Sequence, residues 1–262
     1  MKYFHQKDQL AWEVQKRTYP SKIPPVAGFD VYGKTVPAEI NNGDFYDAIG
    51  VASREIEKGF IMDRSEDVRN MVLLLGDATG HGMAAALMAT ELRALIRAAI
   101  RLGVYHRVLS FLINKQLYED LADDHFVTLL MGRLNVDEAY FRWVSFGHGP
   151  IWFYRAADGE IVEYTANLAP LGVAPDLDNY QPIKTYFAPG DAMVVLSDGF
   201  GETFSPEREM IGEVAFKELL KEVVKLPLEE VADAFWNKAN RHQRDGNTRD
   251  DRTFLMIRRH AE

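Results

Sequence analysis

The chain has 262 residues, 47% of them apolar and 26% charged, with a net charge of −9 and no cysteine. That is ample material for one large domain or two small ones, while the acidic balance argues against a nucleic-acid surface, which needs cations to meet phosphates. Lack of cysteine excludes disulfides, thiolate metal sites and cysteine-nucleophile chemistry, and the absence of a secretory segment or of any run near 20 apolar residues makes a cytoplasmic protein the expectation, with no membrane contact.

Taken in chain order, residues 6–17 are polar and helix-permissive, with Leu10 and Val14 four apart on one face. Tyr19-Pro20-Ser21-Lys22-Ile23-Pro24-Pro25 then breaks the helix, so residues 1–20 read as an entry helix and linker ahead of a domain over 21–262. Either the helix packs on its own domain or it serves as a dimer or signalling helix. Val26 to Val36 and Phe45 to Val51 read as strands, 53–69 as a polar loop, and Met71 to Leu75 as a buried strand. An Ala- and Leu-rich helix is predicted over 83–101, and its scarcity of polar residues suggests burial between layers. A second helix, over 105–121, would place Val108, Phe111, Leu112 and Tyr118 on its apolar side.

Strands follow at 126–134, 139–146, 151–155, 160–164 and 192–196, with hairpin-length turns at 135–138 and 156–159. Helices are predicted at 212–224 and 228–242, and a closing strand at 253–258. Many antiparallel strands interrupted by two helix pairs indicate an α+β sandwich rather than a doubly wound parallel sheet. Strands spread along the whole chain favour one domain.

Four aspartates stand where strand-like runs end: Asp44 in Asn41-Asn42-Gly43-Asp44, Asp77 in Leu75-Gly76-Asp77-Ala78-Thr79-Gly80-His81-Gly82, Asp198 in Leu196-Ser197-Asp198-Gly199, and Asp250 in Arg249-Asp250-Asp251-Arg252-Thr253. Singly, each reads as a cap, an Asx turn or a solvated loop charge. If they converge, like charges at short range raise one another's pKa values unless cations neutralise them. Oxygen-seeking Mg²⁺ or Mn²⁺ suits such a site.

In order, Gly43-Asp44-Phe45-Tyr46-Asp47, Gly76 to Gly82 with its Ala-rich helix, Phe146-Gly147-His148-Gly149-Pro150, Pro189-Gly190-Asp191 leading to Ser197-Asp198-Gly199, and Asp250-Asp251-Arg252-Thr253 resemble the metal-dependent PPM (PP2C-type) protein phosphatases, in their bacterial SpoIIE/RsbU-like branch. The resemblance runs from about residue 20 to 258. It implies a four-layer α-β-β-α sandwich, two antiparallel sheets flanked by helices, with two Mn²⁺ or Mg²⁺ ions at one edge. It also implies hydrolysis of phosphoserine or phosphothreonine by an activated water, on an anti-anti-sigma (STAS-type) partner, under a sensor or activator protein. A catalytically silent module of the same fold is the rival reading.

Carried onto this chain, the resemblance makes Asp77 and the Ala78 carbonyl metal ligands, with Asp77 bridging both ions. Asp198 and Asp250 become ligands of the first ion, and Asp44 completes the site. Asp77 and Asp198 act catalytically through the water, and Asp251 is the alternative to Asp250. Asn42 stands where many members carry glycine. His81 is a candidate general acid, at an offset from Asp77 that differs from the eukaryotic branch; His148 is a candidate loop-ordering residue; Arg54, Arg64 and Arg69 are candidates to bind the phosphate.

Overall fold

The computed structural model describes residues 2–51, 68–104, 107–121, 124–244 and 250–261. The chain order is α1 (Lys2–Gln15), β1 (Phe29–Val36), β2 (Asp44–Gly50), β3 (Asn70–Ala78), α2 (Met83–Arg101), α3 (Arg107–Asp120), β4 (Val127–Asn135) and β5 (Tyr140–Phe146). It continues with β6 (Ile151–Tyr154), β7 (Ile161–Tyr164), β8 (Ile183–Tyr186), β9 (Ala192–Leu196), α4 (Gly212–Val223), α5 (Leu228–Gln243) and β10 (Arg252–Arg259). The strands form two five-stranded antiparallel sheets, ordered β1-β10-β9-β6-β7 and β2-β3-β4-β5-β8.

Side chains alternate across a strand, and here both faces of the central strands are apolar. On β3, Met71, Leu73 and Leu75 face the second sheet, where they meet Val195 of β9 and Leu255 and Ile257 of β10. The intervening Val72, Leu74 and Ala78 pack beneath α2 and α3. On the other sheet, Val194, Leu196, Phe254 and Met256 turn outward to α4 and α5. Each such fully buried aliphatic or aromatic side chain is worth about 1.5–3 kcal/mol of transfer free energy. The result is the expected α-β-β-α sandwich. Among the described residues, no helix is long and apolar enough to cross a membrane.

Two helix expectations need correction. The α2 bounds match, but the helix lies in an outer layer: Ala85, Ala89, Leu92, Ile96 and Ile100 are buried, while Leu87 is 63% exposed. Alanines on the inner face were small enough to seat the helix without making it apolar all round. In α3 the buried face is Leu109, Ser110, Ile113, Asn114 and Leu117, whereas Val108, Leu112 and Tyr118 are exposed. Asn114 decides the orientation, because its side chain bonds the main chain of Gly172, Ala174 and Pro175.

Strand β8 has no counterpart among the predicted elements: it is a four-residue edge strand, with exposed Tyr186 beside buried Thr185. Strand β3 runs on through Asp77 to Ala78, so Asp77 belongs to the strand rather than to the turn beyond it. Most of the predicted loop at 53–69 lies outside the described residues.

Candidate metal centre

The alternation that fills the core also aims the acids. Asp44 shares a face of β2 with Tyr46 and Ala48, and Asp77 shares a face of β3 with Leu75 and Leu73, so both point between the sheets. They are direct cross-strand partners. Asp44 is 1% exposed, and its Oδ2 has no hydrogen-bond partner. Across the gap, Ser197 and Thr253 face it and partly ease its charge. Ser197 is itself fixed by its N–H to the Thr253 carbonyl (3.0 Å) and by the Thr253 N–H on its Oγ (2.8 Å).

The opposite sheet supplies a second group. Carboxylate oxygens of Asp198, Glu202 and Asp250 lie within 4.8 Å of one another, on the open side of the molecule. Asp198 and Glu202 stand one turn apart, since the Glu202 N–H donates to the Asp198 carbonyl (2.8 Å). Phe200 anchors that turn from below, its ring 4.8 Å from the Trp236 ring and fully buried. Gly199 is required: a Cβ there would sit 2.1 Å from the Asp251 carbonyl oxygen. The four-residue spacing Asp198-Gly-Phe-Gly-Glu202 was the signal for Glu202, which sequence reasoning missed.

The adjacent acids 250 and 251 part company. Asp250 joins the open group, whereas Asp251 turns inward and accepts the Ala38 N–H on Oδ1 (2.7 Å) and the Gly43 N–H on Oδ2 (2.6 Å). Asp251 thus staples down the loop that delivers Asp44. Asn42 reinforces that loop from within: it is fully buried, its Oδ1 accepts the Asp44 N–H (2.9 Å) and its Nδ2 donates to Thr35 (2.7 Å). Gln15, at the end of α1, donates to the Asn42 carbonyl (2.6 Å) and accepts its N–H (3.1 Å), and the Tyr19 hydroxyl donates to the Asp44 carbonyl (2.7 Å). The end of the entry helix is therefore docked on the acid-bearing loop. Ala78 follows Asp77, its N–H on the Gly43 carbonyl (3.2 Å).

Electrostatically the site is overloaded. Burial, then the neighbouring Asp198, Asp250 and Asp251 carboxylates, raises Asp77 to about 8. Burial, then Asp250 and Glu202, raises Asp198 to about 6. Asp44 is pushed well above the carboxylate range by burial, then by Asp77 and Asp251. Among the described residues, none of these acids has a lysine or arginine in salt-bridge contact. A partnerless buried carboxylate oxygen and an all-oxygen donor set fit hard divalent cations.

A pH dependence follows. An unfolded Asp titrates near about 3.9, so between there and the native values the folded metal-free protein holds more protons than the unfolded chain. Its stability should be greatest at the acid end and fall as pH rises towards 8. Melting in EDTA at pH 5.5 and pH 8 checks this; the drop should shrink in Asp77→Asn, and equal drops would refute the crowding.

His81 stands at the rim, its side chain 84% exposed and Nδ1 3.7 Å from Glu39. His148 is buried, with Nδ1 2.8 Å from Thr128 Oγ1, and burial lowers it to about 4, so it is neutral. Its main chain is locked both ways by Ser145, whose Oγ donates to the His148 carbonyl (2.6 Å) and accepts its N–H (3.1 Å). It orders a loop. Arg69, offered as a phosphate-binding residue, is displaced by the strand itself: it pairs with Asp137 at the opposite end of nine-residue β3, about 25 Å from Asp77 at the usual rise per residue. Arg54 and Arg64 lie outside the described residues.

The model of the family described as "Stage II sporulation protein E (SpoIIE)" matches residues 67–260. The phosphoserine phosphatase RsbU of Bacillus subtilis is 22% identical over 251 residues, covering 96% of this chain and 69% of that protein. Among solved structures, the SiaA-PP2C domain of Pseudomonas aeruginosa superposes with a TM-score of 0.75 at 20% identity, covering 98% of this chain and 97% of that one. The RsbU and RsbW domains of a Mycobacterium tuberculosis protein give 0.74 at 22%, covering 94% of this chain and 64% of that one. The chain belongs to the SpoIIE family and shares the fold of PP2C-type phosphatase domains.

Proposed function

We propose that this chain removes phosphate from a phosphoserine or phosphothreonine of a bacterial regulatory protein, of the anti-anti-sigma (STAS) type, using two Mn²⁺ or Mg²⁺ ions. The observation that carries the reading is the convergence of Asp44 and Asp77 from one sheet with Asp198, Glu202 and Asp250 from the other, without basic partners among the described residues. Asp77, Asp44 and the Ala78 carbonyl would hold ions on the inner side, with Asp198, Asp250 and Glu202 on the open side. Bound there, divalent ions acidify a water and offset charge on the phosphoryl oxygens.

The residues of the chain fix the rest. Asp251, Asn42 and Gln15 hold the Asp44 loop, so the donor set is built before substrate arrives and costs no reorganisation at the moment of reaction. As the new P–O bond to water forms and the ester P–O bond breaks, the departing serine oxygen needs a proton; His81 is the candidate donor. The partner assignment draws support from the RsbU name of the relative and from the RsbW domain beside the RsbU domain in the Mycobacterium chain. The test is incubation with phosphorylated STAS proteins, with and without Mn²⁺; phosphate release only with metal is expected, and none under either condition would remove the reading.

A homodimer through α1 and a separate activator complete the proposal. Leu10 and Val14 are 64% and 65% exposed on one face of the helix. Deleting residues 1–20 would also remove Gln15 and Tyr19 from the Asp44 loop, so the cleaner variant is Leu10→Glu/Val14→Glu. Light scattering should show it at half the mass of the parent; an equal mass would rule out pairing through this face.

A further inference from the structure

Arg252 is 2% exposed, yet among the described residues every side-chain hydrogen bond it makes is to a neutral acceptor. It leaves β10 on the same face as Phe254 and Met256, towards the helices and away from the gap between the sheets. Its Nε donates to the Gly199 carbonyl (3.2 Å), Nη1 to Asn240 Oδ1 (3.0 Å), and Nη2 to both Thr203 Oγ1 (3.0 Å) and Gln243 Oε1 (2.7 Å). Thr203 passes the contact on, its hydroxyl donating to the Gly199 carbonyl (2.8 Å).

The two residues gripped on the turn, Gly199 and Thr203, each follow one acid of the open group, Asp198 and Glu202. Asp250 is two residues from Arg252 along the main chain. One planar guanidinium therefore fastens the backbone beneath all three acids and ties it to α5. An arginine placed there satisfies four acceptors in fixed directions, which an ammonium on a flexible stem cannot do. Burying a charge without a contacting carboxylate is costly. The acids on the far side of the turn are the nearest source of compensation, Asp250 foremost.

We propose that Arg252 is a positioning residue, which sets the spacing of Asp198, Glu202 and Asp250 and so the affinity of the open-side ion. This rests on the metal-dependent reading above. It acts through the turn and does not itself touch substrate.

The experiment is calorimetric Mn²⁺ binding to the full chain and to Arg252→Lys, Gln243→Leu and Leu220→Ala, each with its melting temperature. Arg252→Lys keeps the charge but loses the fork, and should raise the Mn²⁺ dissociation constant about tenfold or more, the usual scale for residues behind metal ligands. Gln243→Leu removes the shortest of the four acceptors and should shift the constant in the same direction by a smaller factor. Leu220→Ala cuts a fully buried side chain of α4, and should lower the melting temperature while leaving Mn²⁺ affinity unchanged. Wild-type affinity in both Arg252→Lys and Gln243→Leu overturns the proposal, as does an equal loss in Leu220→Ala, which would mark general destabilisation. If Arg252→Lys does not fold, Gln243→Leu against Leu220→Ala decides. Failure of the parent chain to bind Mn²⁺ would instead bring down the metal-dependent reading and this inference with it.

Discussion

Asp77→Asn is expected to lower turnover of a phosphoserine peptide by about a thousandfold or more. The substitution keeps the shape of the side chain and removes its charge at the point where the two groups of acids meet: Asp77 pairs with Asp44 across the strands and feels Asp198, Asp250 and Asp251. Stabilisation by a metal ion is worth several kcal/mol of barrier, and each 1.36 kcal/mol is tenfold in rate. The same variant should melt no lower than the parent in EDTA at pH 8, because it relieves the repulsion that raises Asp77. Activity and metal-free stability should therefore part ways, as expected when function depends on a crowded site. Full activity in the variant, with EDTA equally harmless, would end the two-ion scheme. If the parent binds Mn²⁺ but hydrolyses no phosphopeptide, the silent-module reading stands in its place.

Much of this was legible from residues alone, for an identifiable reason. Asp77 and Asp198 stand by the ends of apolar runs, β3 and β9, while Asp44 and Asp250 stand by the starts of β2 and β10, and strand termini are something local pattern records. What local pattern cannot record is which side of a helix faces inward when polar residues do the anchoring. Asn114 is a buried polar residue on the inner face of α3, and it carried that helix away from the predicted packing. The choice between Asp250 and Asp251 was equally closed to inspection of the chain. It depends on two amides, Ala38 and Gly43, more than 200 residues earlier. Edge strand β8 is too short and too exposed to announce itself. Its assignment depends on pairing with β5 and on the bond from Trp143 Nε1 to Thr185 Oγ1 (3.1 Å).

The second large effect lies behind the site, at Asp47. Strand alternation turns it from the gap between the sheets towards α2, opposite to Asp44 three residues earlier. There it is fully buried and meets two arginines one helical turn apart: Arg93 at 2.8 Å, with Arg97 bridging both of its oxygens. Burial lowers Arg93, and Asp47 holds it up; the hydrogen bond to Asp47 raises Arg97. In Asp47→Leu, Arg97, whose side chain is 25% exposed, can swing into water, but Arg93 at 7% cannot. One stranded buried cation places the cost at about 3 kcal/mol, the lower end for breaking a buried pair. For a chain of this size that is roughly 6–12 °C of melting temperature.

Replacing all three residues with Leu, Met and Leu should recover most of the loss, since apolar substitutes often match a buried ion cluster. What the triple variant should not recover is Mn²⁺ affinity. The ion cluster fixes β2 against α2, and β2 carries Asp44 into the site, so without it the strand keeps its stability but not its register against the helix. Calorimetry on the two variants separates these effects. Parental affinity in the triple variant would mean that Asp47 serves stability alone.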